Sequence, residues 1–321
     1  MKHDEIHRNF LGALEKKLPE KTNLVDILTE ILSMERGAVY RRLRGEVPFS
    51  LFEVVNIAEK LDISLNNLIY SDSVQTNHFE LNIIEYANMS DTDYKKMENY
   101  LLNIHSAKDD PHSELAESSN VLPMSIYAKY DSLSKFFLFK YQYLFSSSEN
   151  RIPFHEMVIP ERLYTIHRSY FEESKNFAHT VYIWDYLIFH YLITDLQFFY
   201  GINLISENDI CQIKEDLFSL INYIEQITLN GYFEETENPV SIYISDINFD
   251  ADYSYVQLND TYISLIRTFI LNSVVSNGQL SFIKIKNWIQ SLKKSSVLIT
   301  QSAAIYRTDF FEKQRLSISE L

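Results

Sequence analysis

Apolar residues recur at intervals of three and four through the first 70 positions of the chain, the spacing that one buried helix face requires. The first stripe covers residues 4–18, ends at Pro19, and consists of Ile6, Phe10, Leu14 and Leu18. Further stripes predict helices at 23–32, 34–44, 51–61 and, in a shorter form, from Ser64 onward. The pattern therefore predicts five short helices within residues 1–71.

Beyond residue 71 the pattern changes between helical and alternating spacing. Helical spacing predicts helices at about 91–106, 130–145, 160–174, 180–200, 207–229, 281–292 and 303–319. Alternation at every second position predicts strands at 241–247 and 253–258, joined by a hairpin loop. Residues 262–271 fit a third strand or a helix, with the strand favoured. Residues 113–128 fit a strand up to Ser118 followed by a loop.

These elements predict a mainly α protein of two domains. Residues 1–71 form the five-helix domain, and residues 72–110 form a linker and a connecting helix. Residues 111–321 form a larger, mostly helical α+β domain with a small antiparallel sheet. The chain of 321 residues, 46% hydrophobic and 14% aromatic, has enough apolar surface for sizeable cores.

One helix of the N-terminal domain carries an unusual concentration of positive charge. Within nine residues of a chain whose formal net charge is −15 lie Arg36, Arg41, Arg42 and Arg44. At about 100° per residue, Val39 and Leu43 point into a core, whereas Arg41 and Arg44 point away from it. A short helix with a basic outer face suits contact with phosphates and guanine edges.

The ends of this helix, and the segment that follows it, have a familiar pattern. Ser33 is placed to cap its start, and Gly45 is placed to end it in the left-handed conformation. The segment PFSLFEVVNIAEKLDISL follows at 48–65. These features resemble the Cro/CI-type (XRE-type) helix-turn-helix family of phage-repressor-like bacterial transcription regulators, over about a fifth of the chain. Arg42 stands where that family commonly has an apolar residue.

The resemblance implies sequence-specific binding of double-stranded DNA by a homodimer, with residues 34–44 as the recognition helix. It implies that Arg36 and Arg42 anchor phosphates, and that Tyr40, Arg41 or Arg44 contacts bases. The rest of the chain is then an effector domain that dimerises, senses a small-molecule or protein effector, or does both.

The distribution of charge limits where DNA can be contacted. Residues 1–70 carry a formal charge of −1, and the remainder carries −14. Because an acidic body repels DNA, contact is expected only in the N-terminal domain. The near-neutral charge of that domain keeps a second hypothesis open, namely a non-enzymatic protein-interaction adaptor with a helix-turn-helix scaffold.

Catalytic and cofactor-binding motifs do not stand out in the sequence. The common phosphate-binding, metalloprotease, serine-hydrolase and paired-cysteine motifs are missing, and the chain has only six glycines. We therefore expect no enzyme activity, no cofactor and no bound metal. A single cysteine, Cys211, fits a reducing cytoplasm. No apolar run has the length of a signal peptide or a spanning helix, so we expect a cytoplasmic protein without membrane contact.

The most aromatic of the predicted helices contains the run YIWDYLIFHY at 182–191. Two interpretations are open. The run is the central core helix of the effector domain, or it lines a ligand pocket with Trp184, Tyr186, His190 and Tyr191. The second interpretation rests on tyrosine hydroxyls, which can orient a small molecule within apolar walls.

Overall fold

The computed structural model describes residues 2–17, 21–61, 63, 65, 79–145 and 151–321. The chain divides into two compact units, Met1–His78 and Phe79–Leu321. Apart from Leu65, the helix predicted from Ser64 onward lies outside the described residues. The beginning of the predicted linker, up to His78, lies outside them as well.

The described part of the first unit is helical, as its apolar stripes predict. The helices are α1 (Lys2–Lys17), α2 (Lys21–Leu32), α3 (Arg36–Leu43) and α4 (Leu51–Leu61). Their apolar faces form one core, in which Leu14, Leu28, Val39 and Ile57 are fully buried. These four side chains come from four different helices, so burial of the shared core explains why short helices are stable here.

The second unit is built on one mixed sheet of eight strands. The strands are β1 (Glu80–Asn82), β2 (Glu114–Ser119), β3 (His179–Asp185), β4 (Val240–Ser245), β5 (Tyr253–Leu258), β6 (Thr261–Thr268), β7 (Asn272–Ser276) and β8 (Ser296–Leu298). Their order across the sheet is β1–β7–β6–β5–β2–β3–β4–β8. Strands β2, β3 and β4 are parallel to one another, and all other neighbouring pairs are antiparallel.

Eight α-helices accompany this sheet in the described part of the chain. They are α5 (Asp91–His105), α6 (Met124–Tyr127), α7 (Asp131–Phe145), α8 (Glu161–Ser174), α9 (His190–Gly201), α10 (Glu207–Asn230), α11 (Gln279–Leu292) and α12 (Ala304–Ser319). Short 3₁₀ helices occupy Ser106–Asp109, Phe154–Glu156 and Lys293–Ser295. None of the described helices is both long enough and apolar enough to cross a bilayer.

Both faces of the sheet are covered. On one face, Val181 and Ile183 of β3 share a core with Ile289 of α11. On the other face, Tyr182 and Trp184 belong to a larger core that includes buried residues of α7, α9, α10 and α12. Strand β3 is consequently buried on both sides along nearly its whole length.

The predicted fold class is therefore wrong. The second unit is an α/β structure around a large mixed sheet, not a mostly helical domain with a small antiparallel one. The predicted helix at 180–200 is wrong over its first part, because β3 continues to Asp185 and α9 begins only at His190. A strand buried on both faces is apolar at successive positions, so it lacks the alternation that distinguishes a strand from a buried helix.

The later strands are confirmed, but one of their connections is not. The predicted strands at 241–247, 253–258 and 262–271 correspond to β4, β5 and β6 within a few residues. The predicted hairpin between the first two is wrong, because β2 and β3 lie between β4 and β5 in the sheet. The hairpin joins β5 to β6 instead, through Asn259 and Asp260, and Asn259 adopts a φ of 47°. Residues 113–128 contain β2 and the short helix α6.

Candidate nucleic-acid interface

Three residues, numbers 33 to 35, connect α2 to α3. The Ser33 N–H donates to the Glu30 carbonyl at 3.3 Å, and the Met34 N–H donates to the Thr29 carbonyl at 3.2 Å. Ser33 has a φ of 50°, so it ends α2 in the left-handed conformation. The prediction that Ser33 caps α3 is wrong. Glu35 holds the N-cap position and makes no side-chain capping hydrogen bond. Helix-turn-helix motifs use turns of this length.

The other end of α3 is closed as predicted by Gly45. The Gly45 N–H donates to the Arg42 carbonyl at 3.0 Å, and the Glu46 N–H donates to the Arg41 carbonyl at 2.9 Å. Gly45 has a φ of 75°, which a residue without a side chain adopts at little cost. These two hydrogen bonds satisfy free carbonyls of the last turn and set the length of the helix.

The two sides of α3 differ in chemistry. Val39 is fully buried, and Leu43 packs partly into the same core. The exposed side chains are Arg36, Tyr40, Arg41 and Arg44. At 100° per residue they span a continuous arc of roughly 140°. We call these four residues the basic face. Four of the five residues predicted to contact DNA therefore share one solvent-facing surface.

Arg42, the fifth predicted contact, points inward. Its Nε donates to Glu53 Oε2 at 3.0 Å, and its Nη2 donates to Glu53 Oε1 at 2.8 Å. A further hydrogen bond runs from Nη1 to the Ala38 carbonyl at 3.3 Å. The side chains of Arg42 and Glu53 are only 16% and 8% exposed. Arg42 thus joins α3 to α4 and is not placed to anchor a phosphate.

Glu53 is held in its ionised form by these contacts. The Arg42 guanidinium hydrogen-bonds the carboxylate and lowers the pKa of Glu53 below its ordinary value of 4.5. The Ser50 N–H also donates to Glu53 Oε2, at 2.8 Å, and the Glu53 N–H donates to Ser50 Oγ at 3.3 Å. The pair of bonds with Ser50 caps the start of α4. A fixed α3–α4 contact presents the basic face in one orientation.

The arginines of the basic face have weak partners or none. Arg36 lies 2.9 Å from Asp26, and Arg44 lies 3.2 Å from Glu46, and both pairs are largely exposed. Arg41 makes no ion pair within the part of the chain that the structure describes. Because exposed ion pairs contribute little free energy, a phosphate or a base edge can replace these carboxylates.

The structure does not gather the four residues of the predicted ligand pocket around one space. Trp184 is fully buried in β3, whereas Tyr186 lies in the turn after it, with its hydroxyl 3.5 Å from Asp309 Oδ2. His190 and Tyr191 begin α9 and are exposed, with their ring centroids 5.9 Å apart. The expectation of a helix had placed them on one continuous surface, and the strand–turn–helix arrangement separates them.

In the described residues, no group of three or more histidine, cysteine, aspartate and glutamate side chains is placed to hold a metal ion. Cys211 is an exposed free thiol on α10.

The structural role of Arg42 is the main feature of this surface that sequence reasoning missed. Two signals point to it. Arg42 replaces a commonly apolar position, and Ser50 precedes Glu53 at the spacing of a capping box. Together they place a carboxylate at the start of α4 that an inward-pointing arginine can bind.

Comparison of the chain with protein-family models, with curated proteins and with solved structures gives no significant match.

Proposed function

We propose that this chain is a sequence-specific, DNA-binding regulator of transcription and that α3 is its recognition helix. The basic face is the observation that supports this proposal most. It presents three arginines and a tyrosine on one exposed side of a short helix that a three-residue turn holds against α2. A helix of this length spans about 12 Å, and a B-DNA major groove about 12 Å wide admits one helix.

Each residue of the basic face has a role in this proposal. Arg41 and Arg44 contact base edges, since an arginine can donate two hydrogen bonds to a guanine. Tyr40 lies between them and Arg36 on the exposed arc, where it can also reach a base edge. Arg36, the first residue of α3, anchors a phosphate together with the free N–H groups of the first turn.

One basic face reads one half-site, so the proposal includes a homodimer that binds two half-sites about one DNA turn apart. The second unit provides dimerisation, the response to an effector, or both. Because it carries most of the chain's negative charge, it stays clear of the DNA backbone. Such a regulator works in the cytoplasm, in contact with the chromosome.

The proposal is tested by recovering genomic DNA fragments with the purified chain at moderate salt and sequencing them. We expect enrichment of one or a few promoters that contain a repeated half-site. The variant Arg41→Ala/Arg44→Ala should lose this enrichment while it keeps the circular dichroism spectrum of the wild type.

Lys60→Ala is the matched control, because Lys60 is an exposed cation on α4 outside the basic face. It should recover the same promoters as the wild type. Equal enrichment by the double variant, or uniform recovery of all fragments by the wild type, would contradict the proposal.

A protein-interaction adaptor is the second candidate, and one observation favours it. At the start of α4, Leu51 and Phe52 are 79% and 75% exposed, and Val55 on the next turn is exposed as well. Exposed apolar residues in a cluster are typical of protein-binding surfaces. The two candidates differ in salt dependence. Replacement of phosphate counterions makes DNA affinity fall steeply with salt, whereas an adaptor would show a shallow slope.

A further inference from the structure

Gly37 is the second residue of α3 and one of two glycines within the described helices of the first unit. The other is Gly12, in α1. Glycine weakens a helix, because it loses more backbone freedom on folding than any other residue. A glycine within a helix therefore requires a local reason, such as an unusual backbone conformation or a close contact that a side chain would prevent.

The fold of the described residues supplies neither reason at Gly37. Among the glycines of the chain, only Gly45 and Gly231 have a positive φ, so Gly37 has an ordinary helical conformation. Apart from its chain neighbours and the backbone of α3, no described heavy atom lies within 4 Å of the place that a Cβ of residue 37 would occupy. At Gly231, by contrast, a Cβ would lie 2.6 Å from Gln301 Cδ. The described part of the chain therefore has room for a side chain at position 37.

Gly37 lies inside the arc of the basic face. At 100° per residue it falls between Arg44 and Arg41 around the helix axis, and it is exposed. Tyr40 and Arg41 follow it by three and four residues, so their side chains flank position 37 from the next turn. The first turn of α3 therefore presents bare backbone in the part of the surface where the later turns present a tyrosine and two arginines.

The dimensions of DNA give this bare backbone a use. A recognition helix contacts base edges with its N-terminal residues. A helix with its side chains is about 10–12 Å across, close to the roughly 12 Å width of the major groove, so the fit is tight. Without a side chain at position 37, the first turn of α3 can come closer to the base edges. Tyr40 and Arg41 on the next turn can then reach the bases beside it.

We propose that Gly37 is the position at which the backbone of α3 approaches the floor of the major groove, and that its missing side chain sets how deeply α3 enters. This role rests on the proposed function of α3. Gly37 determines specificity through space, whereas Arg41 and Arg44 determine it through hydrogen bonds to base edges. A methyl group at position 37 would hold α3 away from the bases. Because alanine makes apolar contact with the thymine methyl group, it would also change the preferred base there.

Selection from a pool of DNA duplexes with a randomised central segment tests this role on the full-length chain. Gly37→Ala should bind the duplex selected by the wild type about tenfold or more weakly, the loss expected when one arginine–base contact is disturbed. Gly37→Gln, with a longer side chain, should bind it more weakly still. A new selection with Gly37→Ala should change the preferred base at one position of each half-site and keep the bases contacted by Arg41 and Arg44.

Gly12→Ala is the matched control. A Cβ at Gly12 would likewise have no described heavy atom within 4 Å, apart from its chain neighbours and the backbone of α1, and α1 contributes nothing to the basic face. Both alanine variants should be at least as stable as the wild type, because alanine favours a helix more than glycine does. Hydrogen exchange of the first unit measures this stability. Only Gly37→Ala should lose DNA affinity, and a glycine with a purely structural role would not combine kept stability with lost affinity.

Three results would overturn this role of Gly37 and leave the proposed function of α3 intact. They are wild-type affinity and base preference in Gly37→Ala, an equal loss of affinity in Gly12→Ala, and destabilisation of the first unit by Gly37→Ala. Failure of the proposed function is a different result, because the wild type itself would then select no sequence from the pool. In that case the role of Gly37 fails with it.

Discussion

Glu53 in the first unit and Glu117 in the second are carboxyl groups largely withdrawn from bulk water, and their surroundings have opposite effects on them. Glu53 accepts two hydrogen bonds from Arg42, and its pKa lies below 4.5. Among the described residues, Glu117 accepts one hydrogen bond, from Ser125, and burial raises its pKa above 4.5. One carboxylate is fully paired within the protein and the other is not.

Glu53 therefore carries a charge with a structural role, whereas Glu117 has no ion-pair partner among the described residues. The Arg42–Glu53 pair consumes its charges in holding α3 against α4, so neither residue is free to bind anything else. Glu117 is costly to ionise where it lies, and a cationic group in contact with it would remove that cost. The same reasoning applies to the arginines, since Arg42 is engaged inside the protein while Arg41 is exposed and has no ion pair with any described residue.

The largest expected effect is the loss of stability of the first unit when the Arg42–Glu53 pair is broken. Arg42→Ala leaves Glu53 withdrawn from water without its partner, and we expect it to destabilise the first unit by about 2 kcal/mol. Arg36→Ala, which removes the exposed pair with Asp26, should change stability by less than about 0.5 kcal/mol. Hydrogen exchange of the backbone amides of α2, α3 and α4 measures both. Equal effects of the two substitutions would show that the burial of the Arg42–Glu53 pair is not important.

The next largest effect concerns DNA affinity. Arg41→Ala should weaken binding to a recovered operator by about tenfold or more, because one arginine–base contact contributes about 1–3 kcal/mol of discrimination. Unlike Arg42→Ala, it should not alter hydrogen exchange in α2 or α4. Titration of labelled operator at fixed salt, with Lys60→Ala as the control, provides the measurement. An unchanged affinity would remove Arg41 from the proposed base contacts.

The stability of the first unit should also depend on pH, through the ionisation of Glu53. Because the pKa of Glu53 is lowered by folding, the pair contributes fully above 4.5, the ordinary value, and its contribution is lost as the pH falls through the folded-state pKa. Stability of the wild type should therefore decline as the pH falls below 4.5 more than that of Glu53→Gln. Amide exchange at several pH values would show this, and parallel declines would contradict it.

The smallest expected effect is on the second unit, which should become more stable as the pH falls, whereas the first unit becomes less stable. Folding raises the pKa of Glu117, so its proton uptake should stabilise the second unit as the pH falls from neutrality towards 4.5. Glu117→Gln should lose this gain and be more stable than the wild type near neutrality by about 1 kcal/mol or less, since an amide can keep the Ser125 hydrogen bond. Urea unfolding followed by tryptophan emission reports on this unit alone. A variant less stable than the wild type at neutral pH would indicate that the ionised carboxylate is needed for folding.

Prediction from sequence succeeded where one face of an element is exposed. The helices of the first unit show a regular spacing of apolar residues, because solvent on one side leaves polar residues at the intervening positions. Four of the five residues predicted from the sequence to contact DNA could be placed on one surface for the same reason. That surface depends on local helix geometry, which residue spacing alone provides.

Prediction failed where burial or pairing depends on distant parts of the chain. The run 181–184 is apolar at every position because two cores cover β3, so its periodicity does not identify a strand. The position of β2 between β3 and β5 is a matter of topology that spacing does not contain. Arg42 is one of four arginines within nine residues, and the carboxylate that turns it inward comes from a different helix, α4.

The sequence by itself determined the described helices of the first unit, the end of α3 and the exposed position of Arg36, Arg41 and Arg44, since these follow from contacts within a few turns of chain. The tertiary structure alone decided which arginine is internal and that the second unit is an eight-stranded α/β sheet. These features depend on contacts between residues far apart in the chain. Strand pairing and burial decide them, and the local spacing of apolar residues does not.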